Sequence, residues 1–142
     1  MALIPESSYP VAFWRDRIAR LLLGLIAVAA VAGAASLIPE VIDAAGDAKT
    51  TKVWRAYGLV TFAGLFVLLA WRPRSTPGLW ELTILNKLAL AVTGAFWTVG
   101  EVDGAGAMAA ADGVLTAVLI ACYALTRGWT AWSSSAGRGP GA

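Results

Sequence analysis

Leu21-Leu-Leu-Gly-Leu-Ile-Ala-Val-Ala-Ala-Val-Ala-Gly-Ala-Ala-Ser-Leu-Ile38 carries no charged side chain. A helix needs about 20 apolar residues to cross a hydrocarbon core of about 30 Å. With the residues just ahead of it, this stretch reads as a span over about Ile18–Ile38, with Pro39 as its stop. Working outward, three more segments meet the same requirement: Val53–Trp71, Leu79–Val99 and Ala105–Thr126. The tryptophans mark their ends, because Trp14, Trp54, Trp71, Trp80, Trp97, Trp129 and Trp132 each sit at or near the end of an apolar run. Indole joins an apolar ring to a polar N–H and so prefers the headgroup level of a bilayer. Composition agrees: 14% of residues are charged, against about 25% in a soluble domain, and 58% are hydrophobic, with a mean hydropathy of +0.70.

Between the spans lie one longer connection, Pro39–Lys52, the turn Arg72-Pro-Arg-Ser-Thr-Pro-Gly78, and the acidic turn Gly100-Glu-Val-Asp-Gly104. Short connections make neighbouring helices antiparallel. The expected fold is therefore all-α, a four-transmembrane-helix up-down-up-down bundle. Residues 18–126 form the transmembrane domain, 1–17 a cytoplasmic N-terminal segment, and 127–142 a disordered, Ser/Gly-rich cytoplasmic tail. Arg15, Arg17, Arg20, Arg72, Arg74, Arg127 and Arg138 belong on one side, and Lys49, Lys52 and Arg55 on the other. The excess of basic residues on the first side predicts a multi-pass protein of the cell membrane with both termini in the cytoplasm. The arginines, the apolar stretch and the small residues Ala32–Ser36 also fit a cleavable signal peptide, which would leave three spans. The uncharged stretch is longer than the usual apolar region of about 7–15 residues, which favours the intact chain.

Several chemistries are excluded by composition. A formal net charge of +2 with scattered basic residues argues against nucleic acid as a partner. A single cysteine, Cys122, rules out an internal disulfide or a CxxC redox pair, and the absence of histidine removes the usual haem ligand and the commonest metal ligand and general base. No cofactor and no metal are expected.

Two kinds of pattern remain inside the spans. Ala105, Ala109, Gly113, Ala117 and Ala121 follow one another at i,i+4, a small-residue stripe suited to close helix packing within the chain or to a homodimer, with Ala29 and Gly33 of the first span as expected partners. A polar face lies beside it. Asp112, Thr116 and Tyr123 share one face of the fourth span, and Asn86, Thr93 and Trp97 one face of the third, with Lys87 adjacent; Tyr57 and Thr61 offer the same in the second. Ionisable groups inside a span are costly and usually face the protein interior. At about 1.5 Å per residue, Lys87 and Asp112 differ in depth by roughly 8 Å. Either the lysine stem covers that gap to form a buried ion pair, or Lys87 snorkels to the surface and leaves Asp112 to a hydroxyl, water or a proton. Glu81 reads as an interfacial residue favourable at a helix N-terminus. Glu101 and Asp103 read first as a solvated turn, and second as partners of Asp112 in acid–base work.

The order of Ile38-Pro39, Arg55-Ala-Tyr-Gly58, Phe62-Ala-Gly-Leu65, the proline-containing turn Arg72–Gly78 and two small-residue spans resembles that of the DoxX-like membrane proteins over about Ile18–Thr126. The resemblance implies a compact four-helix bundle in a functionally mixed family, some of whose members associate with oxidoreductase partners or quinone metabolism. It carries over no catalytic residue set. Vitamin K epoxide reductase-like proteins need a CxxC, small multidrug resistance transporters a glutamate in the first span, and four-helix cytochromes histidines. None of these is present.

The expected function is thus that of a small accessory or lipophilic-ligand-binding bundle. Its partners would be membrane lipids together with an isoprenoid- or quinone-like molecule, a membrane protein, or a second copy. Asn86, Lys87, Thr93, Trp97, Thr116, Tyr123 and Tyr57 would line the ligand space. The alternative is a membrane-embedded acid/base enzyme, an isomerase, cyclase or epoxide-opening catalyst. In it Asp112, with Glu101 or Asp103, would act on a hydrophobic substrate. A proton-coupled transporter using Asp112 and Lys87 would at this size need a dimer.

Overall fold

A computed structural model describes residues 12–136. Of these, 84% are helical and none forms a strand, so the fold class is all-α, in agreement with a four-helix bundle. The elements are α1 (Phe13–Ser36), α2 (Ile38–Asp43), α3 (Asp47–Trp71), α4 (Leu79–Val99), α5 (Ala105–Thr126) and α6 (Thr130–Ala136). Four helices, α1, α3, α4 and α5, are long and apolar enough to cross a membrane. Large apolar side chains such as Leu25, Val28, Val67, Leu85 and Val114 remain on the outside of these helices, as expected where the solvent is lipid. The chain is a small multi-pass membrane protein.

Both α4 and α5 occupy the expected segments residue for residue, because each is opened by a glycine that an L side chain would disfavour. Gly78 and Gly104 stand at the two N-caps in the left-handed region, at φ 82° and 77°. By contrast, α1 and α3 start earlier than their apolar runs. Their extra first turns carry Asp16 and Asp47, acids that the partial positive charge of a helix N-terminus favours. Nor does Pro39 stop the chain from being helical. It sits in the first turn of α2, where no N–H is required, and Leu37 keeps helical backbone angles (φ −81°, ψ −12°) between α1 and α2. Most of the expected Pro39–Lys52 loop is therefore helix. The expected disordered tail likewise contains α6, while residues 137–142 and 1–11 of the expected terminal segments lie outside the described residues.

The chain divides into two compact units. One is Arg20–Trp71. Within it Lys52 Nζ lies 3.3 Å from Glu40 Oε2, joining α3 to α2. The position a Cβ would take on Gly33 is 3.5 Å from Leu59 Cδ1, so the small residue of α1 packs on α3.

Among the described residues, the other unit holds 12–19 and 72–136. Here α4 and α5 lie side by side and come into backbone contact at Gly94, where a Cβ would fall 2.8 Å from Ala109 N and 2.9 Å from Ala105 O. The start of α1 is fastened to the end of α5 by two arginines. Arg15 Nη2 donates to Ala124 O (3.1 Å), which also accepts from the Arg127 N–H, and Arg74 Nη1 donates to Thr126 O (2.8 Å), so both guanidiniums cap last-turn carbonyls of α5. Arg74 also grips both oxygens of Asp16, at 2.9 and 2.6 Å.

Candidate functional site

The buried face of α4 consists of Trp80, Thr83, Lys87 and Gly94, and that of α5 of Ala105, Asp112, Thr116, Leu119, Cys122 and Thr126. Both follow the three-to-four-residue spacing of a helix face. Where the faces meet, Lys87 Nζ lies 3.0 Å from Asp112 Oδ1, with the two side chains only 9% and 12% exposed. The lysine stem thus covers the difference in depth, and Lys87 does not snorkel. The nearby hydroxyls serve the backbone instead. Thr116 Oγ1 donates to Asp112 O (2.7 Å), and Thr83 Oγ1 to Leu79 O (2.7 Å).

The other expected site residues do not converge on this pair. Asn86 is exposed, Thr93 is half-buried and Trp97 is half-exposed, so the face of α4 expected to line a ligand space is not the buried one. Successive residues on a helix differ by about 100°; turning Lys87 and Gly94 onto α5 therefore turns Asn86 outward. Tyr57 is exposed in the other unit. Glu101 and Asp103 are exposed in the α4–α5 turn. Among the described residues, no three acidic or cysteine side chains assemble a metal site.

Tyr123 does meet an acid, though not Asp112. Its Oη donates to Glu81 Oε1 (2.7 Å), which also accepts from Trp132 Nε1 (3.0 Å). The Tyr123 ring packs between those of Trp80 (centroids 5.8 Å) and Trp129 (5.6 Å), and Trp80 Nε1 donates to Pro73 O at 2.8 Å. Gly128 closes this cluster. A Cβ there would run into Tyr123 and come within 2.7 Å of Trp80 Cδ1. The sequence did hold a signal for this cluster: Glu81 and Tyr123 stand equally far from the Gly100–Gly104 turn, and an antiparallel hairpin puts such residues opposite each other.

The small-residue stripe of α5 is only partly used. Ala105 is buried, Ala109 and Gly113 are half-buried, and Ala117 and Ala121 are exposed. Its partner near the turn is Gly94 of α4. Ala29, expected to pair with it, is exposed, and Gly33 meets Leu59.

No family model, curated protein or solved structure matches this chain.

Proposed function

We propose that this membrane protein is non-catalytic, an accessory or ligand-holding bundle whose internal charges fasten helices together. Its ligand would be an isoprenoid- or quinone-like molecule, or it would hold a membrane partner. One observation carries the reading. Asp112, the acid placed well inside a span, already accepts from the Lys87 ammonium at 3.0 Å, while Glu101 and Asp103 stay in the exposed turn. A general acid needs a proton to give and a substrate within reach, and this carboxylate is bound to its neighbouring helix. The DoxX-like resemblance supports the same reading, since that family includes accessory proteins linked to oxidoreductases and quinones. The arginines at the α1 start, the α3–α4 turn and the α5 end favour a cytoplasmic position for that side of the cell membrane.

The test is titration of a short-chain benzoquinone into the protein in lipid nanodiscs, following tryptophan fluorescence. Saturable quenching that persists in the Lys87→Met/Asp112→Asn double variant is expected of a ligand-holding bundle with a structural ion pair. Quenching that rises linearly, as for a tryptophan ester in the same discs, would remove the quinone ligand. Turnover of a hydrophobic substrate that Asp112→Asn abolishes at an unchanged melting temperature would make the protein an enzyme.

A further inference from the structure

Asn86 lies seven residues into α4, roughly 10 Å from its start at about 1.5 Å per residue, and so about a third of the way into a hydrocarbon core about 30 Å thick. It is exposed, and its amide makes no hydrogen bond among the described residues. Water is absent at that depth, so an amide left facing lipid forfeits bonds that another helix can supply. The residues around it are spaced for such a helix. Leu79, Leu82, Asn86, Ala89, Thr93 and Phe96 alternate by three and four, a heptad seam beside the face packed on α5, with Leu82, Asn86, Ala89 and Phe96 exposed and Leu79 and Thr93 half-buried. A single amide in a seam whose other members are apolar, save the Thr93 hydroxyl, is a device that fixes register between paired parallel helices.

We infer that α4 is the dimer interface of this protein and that its occupant is α4 of a second copy, with Asn86 paired to Asn86. Two considerations single out a second copy. Every copy inserted with the same topology carries α4 in the same direction, so a two-fold axis along the membrane normal sets α4 parallel to α4 and each seam residue opposite itself. An amide both donates and accepts, so it is complementary to its own image. Ala89, small and one turn further on, lets the two backbones come close beside that pair. The seam lies about 100° around α4 from Lys87 and Gly94, on a separate face of the helix, so both contacts can be made at once.

The test uses the full chain reconstituted in phospholipid vesicles, with Cys122→Ala as background and one cysteine added at a time. Oxidation should link Leu82→Cys and Ala89→Cys into disulfide dimers and leave the off-seam Leu88→Cys largely unlinked. In the same vesicles, energy transfer between labelled copies should report a dimer whose association falls roughly tenfold on Asn86→Leu. Asn86 faces outward, so the apolar change leaves folding intact, and the melting temperature serves as the check. Equal linking at Leu82, Ala89 and Leu88, unchanged association on Asn86→Leu, or a chain that stays monomeric and so leaves the seam to lipid or to another protein's helix, would each overturn the inference.

Discussion

At the basic end, Arg74 does what Lys87 does inside the span, holding a carboxylate from another helix while its spare N–H caps an α5 carbonyl. The Asp16 hydrogen bonds hold the guanidinium pKa above its ordinary value, against the opposing effect of burial. A cation whose pKa is raised by folding contributes its full stabilisation below its ordinary pKa, and loses it only as pH climbs through the raised value. This contact should therefore be insensitive to the arginine's titration across any working pH. What it needs is geometry. Lysine keeps the charge and loses the two-pronged fork. With the two side chains 35% and 17% exposed, solvent screening limits the effect, and Arg74→Lys should cost about 1 kcal/mol by thermal unfolding in detergent. Indistinguishable melting curves would show that charge alone suffices there.

The helices that set the site were largely legible, and the reasons differ from one to the next. The limits of α4 and α5 could be read because glycine turns punctuate both. Neither α2 nor α6 could be, because such short helices depend on contacts rather than periodicity. Trp132 of α6, for example, is held by Glu81. The facing of α4 is not legible in the sequence, because Asn86 and Lys87 are adjacent polar residues about 100° apart and periodicity gives both the same claim on the interior. Gly94 decides between them, since on that side of α4 the α5 backbone comes within van der Waals reach. Gly94→Leu should therefore destabilise by at least the 1–3 kcal/mol typical of overpacking, whereas Ala117→Leu on the exposed stretch of the stripe should change stability little. Equal losses in detergent melts would mean that the stripe packs along its whole length.

For the whole molecule, the membrane setting followed from one uncharged stretch and the tryptophans, while the fate of Lys87 and Asp112 did not, because an 8 Å difference in depth is within reach of both a lysine pair and a snorkelling lysine. Reporter fusions at Ala142 and within the segment Asp43–Lys49 should read opposite compartments if four spans are inserted; the same compartment for both would contradict that topology. The claim on which the functional reading rests is that the buried charges are structural, and it is tested most directly by thermal unfolding of Asp112→Asn, Lys87→Met and the double variant in the same nanodiscs. Each single change strands one buried partner and should cost about 3–5 kcal/mol, and the double variant should recover most of the lost melting temperature. Single variants that melt like the unaltered protein would contradict the claim, and so would a double variant no more stable than either single one.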